Sequence, residues 1–188
     1  MALTTLDPNT ALIVVDLQKG LVGAAFIHPL GEVVDRTCAL IAAFRKRRLP
    51  VVLVNVAGRA PGRTEQPPRQ LEQYPDGWTD ILPELDPQPS DILVTKRTWG
   101  AFARTDLEDR LKALGITQVV ITGVATGTGV EATARQAYEQ GFNVTLAIDA
   151  MTDARAIAHD YSIANVFPRL GETGTSREII DLLAARSI

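Results

Sequence analysis

Asp16 stands at the end of the apolar run Thr10-Ala-Leu-Ile-Val-Val, Lys96 follows the short run Asp91–Thr95, and a glycine-rich stretch, Thr122-Gly-Val-Ala-Thr-Gly-Thr-Gly-Val-Glu131, grows out of the run Gln118–Thr122. A carboxylate and an ammonium that meet in a cleft perturb each other's proton affinity, and burial shifts it in the opposite direction, a balance the sequence leaves open; this is the raw material of acid–base chemistry. A glycine-rich turn between a strand and a helix can expose backbone N–H groups to an anion. Each feature also has a plainer reading. An aspartate after a strand often caps the next turn, Lys96 beside Arg97 fits a solvated surface charge, and Gly127 and Gly129 can serve only tight helix–sheet packing. The stretch lacks both the Lys-Ser/Thr pair of a phosphate loop and the spacing of a dinucleotide-binding turn, which argues against a nucleotide.

Elements that would bring these residues together are visible as a βα alternation. The run ending at Asp16 is apolar on both alternating faces, as suits a strand covered by helices on both sides. Similar runs occur at Pro50–Val56, Asp91–Thr95, Gln118–Thr122 and Asn143–Ile148, with a poor sixth near Val166–Leu170. Helical periodicity fills Glu32–Arg48, Asp106–Leu114 and Val130–Gln140. Thr105-x-x-Glu108 and Thr175-x-x-Glu178 have capping-box spacing, and Gly115 and Gly141 stand where helices should end. The expectation is a Rossmann-like three-layer α/β/α sandwich with a mostly parallel, six-stranded sheet, formed by one domain over residues 1–188. In such sheets ligands lie outside the carboxyl ends of the strands, so Asp16, Lys96 and Gly127–Gly129 should share one rim. The stretch Ala57–Pro89, rich in Pro, Gly and Arg and bearing Tyr74 and Trp78, reads as a functional loop or as a surface excursion without a role.

The run Leu12-Ile-Val-Val-Asp-Leu-Gln18, the segment Lys96-Arg-Thr-Trp-Gly-Ala-Phe102 and the run Ile121-Thr-Gly-Val-Ala-Thr-Gly-Thr-Gly-Val-Glu-Ala-Thr-Ala-Arg-Gln-Ala137 together resemble the isochorismatase-like hydrolase superfamily, over nearly the whole chain. The resemblance implies a proton-transfer role for Asp16, Lys96 as its charged partner, and a cis peptide at Val124–Ala125. It also implies that Gly129 stands where most relatives carry a nucleophilic cysteine. The one cysteine, Cys38, lies in the first helical stretch among apolar neighbours and reads as a core residue. Thr128 is adjacent to Gly129, but one α-helical step is about 100° away, so its hydroxyl should not replace a thiol.

Glycine at this position is also found in true isochorismatases, which cleave a vinyl ether without a covalent nucleophile. The expected function is therefore acid-assisted attack of water on a small carboxylated enol ether or related substrate. The alternatives are a catalytically silent small-molecule-binding member and an amidohydrolase using water directly. The sequence around the glycine, Gly-Val-Glu-Ala-Thr-Ala-Arg135, is closer to amidase-like members than to isochorismatases. Catalytic candidates are Asp16, Lys96 and Gly129; candidates for substrate contact are Gln18, Arg59, Arg63, Trp99, Phe102, Val124, Ala125 and Thr128. Arg59 and Arg63 suit carboxylates through their bidentate forks or are solvated loop charges. Trp99 and Phe102 can wall an apolar pocket, with core packing the stronger expectation for Phe102.

Composition sets the remaining bounds. Hydrophobic residues make up 46% and charged residues 22% of the 188, enough apolar content to fold without a partner. A net charge of -3 without a clustered basic stripe argues against nucleic acid. No apolar run approaches the roughly 20 residues that span a bilayer, so no membrane insertion is expected, and the first residues lack a secretion signal, which points to the cytoplasm. Metal-binding relatives carry an Asp-x-His after the second strand; here the chain reads Asn55-Val-Ala57, and its only histidines are His28 and His159. No metal and no cofactor is expected. Members of the resembled family commonly self-associate, so a homo-oligomer, dimer or tetramer, is expected, with a small molecule as substrate.

Overall fold

The computed structural model describes residues 3–65 and 74–185. Six strands, β1 (Thr10–Val15), β2 (Val51–Val56), β3 (Ile92–Lys96), β4 (Gln118–Val124), β5 (Asn143–Thr152) and β6 (Glu172–Gly174), form one sheet in the order β3-β2-β1-β4-β5-β6. Every pairing in it is parallel. Among the described residues the five α-helices are α1 (Leu30–Lys46), α2 (Leu107–Ala113), α3 (Glu131–Glu139), α4 (Ala156–Tyr161) and α5 (Ser176–Ala185).

Strand alternation explains the three layers. Ala11, Ile13 and Val15 of β1 face a core shared with Leu107 and Leu111 of α2 and Ala134 and Ala137 of α3. Leu12 and Val14 face the opposite core, with Leu40, Ile41 and Phe44 of α1 and Ile179 and Leu183 of α5. Residues i and i+2 of a strand share a face, so a run apolar at every position has to be covered on both sides. All six residues of β1 and all seven of β4 are buried accordingly.

Strand order reverses between β1 and β4, which both grow from the centre of the sheet. The loops leaving their carboxyl ends diverge to opposite faces and leave a crevice, the place where open parallel sheets bind ligands. Asp16 immediately follows β1, and the turn containing Gly129 follows β4.

Several local expectations are corrected. No strand forms at Val166–Leu170: a π-helical turn (Ser162–Val166) and a 3-10 turn (Phe167–Arg169) occupy that region, with Pro168 at the start of the latter and Phe167 wholly buried. The sixth strand is instead the short polar edge segment Glu172–Gly174, which has no apolar signature to read. Helix α4 was likewise not marked by its sequence. β5 extends beyond Ile148 to Thr152 after a register irregularity opposite β4, and Asp149 within it bonds the Ser176 N–H (2.6 Å) and hydroxyl (2.8 Å) at the start of α5. The Thr175–Glu178 capping box forms, the Thr175 N–H donating to Glu178 Oε2 at 2.7 Å and the Glu178 N–H to Thr175 Oγ1 at 3.2 Å. At Thr105 it does not: that hydroxyl donates to the Ala101 carbonyl at 2.7 Å, and Glu108 pairs with Lys112 one turn on.

Of the long stretch 57–89, residues 66–73 lie outside the described residues. The rest folds back on the sheet: Gln18 and Ile81 form an isolated antiparallel bridge, and Pro83–Leu85 make a 3-10 turn with Leu85 buried. Trp78 stacks on Tyr74 at 4.2 Å between ring centroids, and its indole covers Gly20 so closely that a Cβ there would meet it at 2.2 Å.

Candidate active site

Asp16 leaves β1 with φ at 54°, in the left-handed region that aspartate tolerates better than most residues. Its N–H is held by the Val54 carbonyl at 2.9 Å, and its side chain is buried at the crevice. Lys96, the last residue of β3, is 2% exposed. Its Nζ donates to Asp16 Oδ2 at 2.7 Å and to the Thr98 carbonyl at 3.2 Å. The other carboxyl oxygen, Asp16 Oδ1, is buried and has no hydrogen-bond partner among the described residues. Burial pushes the Asp16 pKa up to about 6, against the opposing charge and hydrogen bond of Lys96. Desolvation outweighs the attraction of Lys96.

Gly129 lies in a π-helical turn, Thr126–Val130, ahead of α3, rather than at the start of a regular α-helix. A Cβ at Gly129 would lie 3.0 Å from the Val124 carbonyl oxygen, 3.1 Å from Val15 Cγ1 and 3.2 Å from Asp16 Oδ2. Asp16, Lys96 and Gly129 therefore converge. The Val124–Ala125 peptide is cis.

The other expected site residues divide. Ala125 and Thr128 are partly exposed beside Gly129, the Thr128 hydroxyl donating weakly to the Ala125 carbonyl at 3.4 Å. Trp99 is 65% exposed. Arg59 and Arg63 are exposed on the loop. Gln18 ties backbone together: its amide accepts the Val56 N–H at 2.7 Å and donates to the Val56 and Trp78 carbonyls, both at 3.2 Å. Phe102 and Val124 are buried in the two apolar cores. Cys38 is half-buried rather than a core residue, and its thiol donates to the Glu84 carbonyl at 3.2 Å. Burial and the charges of Asp35 and Glu84 push that thiol's pKa up, with Arg45 opposing, the reverse of what activates a nucleophile.

Residues 10–178 match the sequence family described as the Isochorismatase domain. The chain belongs to the isochorismatase family. As a hydrolase of that family it is 41% identical over 181 residues to the isochorismatase family protein YecD of Escherichia coli O157:H7, covering 93% of this chain and 96% of the relative. Nicotinamidase 3 of Arabidopsis thaliana is 28% identical over 173 residues, covering 85% of this chain and 83% of the relative. The solved structure of an isochorismatase family protein from Burkholderia thailandensis superposes with a TM-score of 0.91 at 39% identity, over 96% of this chain and 98% of that one.

Around this family's crevice stand residues the sequence reading passed over. Asp153, just past β5, accepts the Gly127 N–H at 2.8 Å and the Arg155 N–H at 3.0 Å; the rule that residues beyond strand ends build sites would have found it had β5 been given its full length. The buried His159 meets Thr126 Oγ1 at 2.8 Å through Nδ1, and its ring packs edge-on to His28 at 5.0 Å. Thr133 and Gln136 lie four and seven positions beyond Gly129, the helical spacing that returns to one face. Among the described residues no three His, Cys, Asp or Glu side chains are grouped to hold a metal, and no helix is long and apolar enough to cross a membrane.

Proposed function

We propose that this hydrolase cleaves a small carboxylated enol ether, or a related substrate, by acid-assisted attack of water and without a covalent nucleophile. The observation that carries the reading is the division of labour within one carboxyl group: Oδ2 is held by Lys96 while Oδ1 is buried and unpartnered. A proton on Oδ1 would leave the bond between Oδ2 and Lys96 in place. With the pKa raised to about 6, an appreciable fraction of the group is protonated near neutrality, as a general acid requires.

Asp16 Oδ1–H would give its proton to the terminal enol carbon, the C=C electron pair forming the new C–H bond and leaving an oxocarbenium ion. Water adds to that cation, and the proton it loses returns to the Asp16 carboxylate. The resulting hemiketal collapses to a ketone and an alcohol, which restores the enzyme unchanged. Lys96 keeps the carboxylate anchored after proton transfer, and backbone groups of the turn at Gly129 can orient the water. In this reading Gly129 replaces the cysteine of most relatives, and because even a Cβ there would press to within 3.2 Å of Asp16 Oδ2, the glycine keeps side-chain atoms away from the carboxyl. Exposed Arg59 and Arg63 are the candidates for the substrate's carboxylates, and Ala125, Thr128 and Trp99 for its remaining contacts.

A second reading, an amidohydrolase that activates water directly, is favoured by the similarity to Nicotinamidase 3. One assay separates them: isochorismate with pyruvate release as the readout, beside a panel of small amides including nicotinamide with ammonia release as the readout. Pyruvate without ammonia supports the enol-ether reading. Ammonia alone replaces it with the amidase, and neither product from any substrate points to a silent binding protein.

A further inference from the structure

The loop that follows Lys96 is tied down from another element. Thr133 of α3 is wholly buried; its hydroxyl donates to the Gly129 carbonyl at 2.7 Å and accepts the Ala101 N–H at 3.1 Å. One turn on, Gln136 Oε1 accepts the N–H groups of Phe102 at 3.0 Å and Ala103 at 3.3 Å. The loop passes so near that a Cβ at Gly100 would lie 2.2 Å from Gln136 Oε1, so only glycine admits this contact. The Thr98 hydroxyl bonds the Gly100 carbonyl at 2.9 Å, and the Thr98 carbonyl in turn accepts from Lys96 Nζ. The bonds form a continuous path from Gly129 through Thr133 and the 98–103 loop to Lys96 and Asp16.

We propose that Thr133 and Gln136, neither of which bonds the carboxyl or the ammonium, are positioning residues that fix the Lys96 loop against the Gly129 turn and thereby hold Lys96 on Asp16. Three backbone donors in succession at 101–103 end on two side chains one helical turn apart, whereas ordinary loop–helix packing would need none of them. Lost registration of this kind, without contact to the reacting atoms, can cost on the order of a hundredfold in rate. The proposal rests on the reading that Asp16 and Lys96 do the chemistry, but its test does not depend on the substrate.

The test is to titrate the Asp16 carboxyl by ¹³C NMR in the full chain and in Thr133→Val, Thr133→Ser and Gln136→Met, with turnover of isochorismate measured in parallel. Loosening Lys96 removes the influence that opposes burial, so Thr133→Val and Gln136→Met should raise the Asp16 midpoint and lower turnover by roughly ten- to a hundredfold. Thr133→Ser, which keeps the hydroxyl, should restore both. Should Thr133→Val fail to fold, Gln136→Met, at a partly exposed position, decides the matter alone. Variants that lose only thermal stability, with the Asp16 midpoint and turnover per folded molecule unchanged, overturn the proposal. Absence of pyruvate release in the wild type counts against the enol-ether reading and leaves the titration to judge the positioning role.

Discussion

Lys96 Nζ lies 2.7 Å from Asp16 Oδ2 although their strands are not neighbours: β2 runs between β1 and β3, which puts the two backbones about 10 Å apart. The lysine side chain crosses the end of β2 to make the bond, and both partners are nearly inaccessible. A buried pair of this kind seldom adds net stability, because desolvation offsets the attraction. Its value has to lie in what it does to the carboxyl.

If protonated Asp16 is the acid, kcat/KM should be level below pH 6 and fall about tenfold per pH unit above it, since the group's pKa is about 6. Asp16→Asn should cost roughly 10²–10⁴-fold on the plateau below pH 6, with the deficit narrowing as the wild type deprotonates above it, while Cys38→Ser and thiol alkylation should change nothing. Lys96→Met removes the opposing charge and should move the break in the pH profile upward. Full activity in Asp16→Asn, or a covalent adduct at Cys38 during turnover, rules the mechanism out.

The same carboxyl sets a pH dependence of folding. Its pKa is raised from 3.8 unfolded to about 6 folded, so between these values the folded state binds the extra proton, and this contribution to stability is present at low pH and lost as pH rises through the window. Two pH units correspond to on the order of 3 kcal/mol. Urea unfolding at several pH values should show this decline in the wild type between pH 4 and 6, and a flatter curve for Asp16→Asn; parallel curves would contradict the raised pKa.

Gly129→Cys should introduce a thiol whose Cβ meets the Val124 carbonyl, Val15 and Asp16 Oδ2 at 3.0–3.2 Å. These contacts are tight enough to require small shifts of the neighbours. Native turnover should drop at least tenfold as the space beside the acid fills, and iodoacetamide should now label the crevice, detected by mass spectrometry at residue 129. Unchanged turnover would mean that neither substrate nor water uses that space.

Gln18→Leu should act on stability rather than on substrate affinity. It would leave the Val56 N–H and the Val56 and Trp78 carbonyls without the amide they now share, a loss of about 1–3 kcal/mol visible as a lower unfolding midpoint. A rise in KM with stability intact would instead return Gln18 to the substrate.

The central strands were legible in the sequence because burial on both faces demands unbroken apolar runs, and Thr10–Val15 and Val51–Val54 can satisfy no other environment as well. With the alternation of helices they determined a parallel three-layer sandwich, and with it that Asp16, Lys96 and the Gly127–Gly129 turn would meet at one rim. Edge elements carry no such signal: the polar β6 gains its place only by pairing with β5, and Phe167 is spaced for a strand as well as for the helical turn it joins. The raised pKa of Asp16 was likewise beyond the sequence, since the same two residues can ionise fully in water or resist it when buried, and the packing of two cores around them settles which. Gln18, Thr133 and Gln136 show the limit most plainly. Their types announce hydrogen bonding, but whether such a side chain serves a ligand or a neighbouring backbone depends on which N–H groups the fold brings within hydrogen-bond reach, and those come from segments distant in the chain.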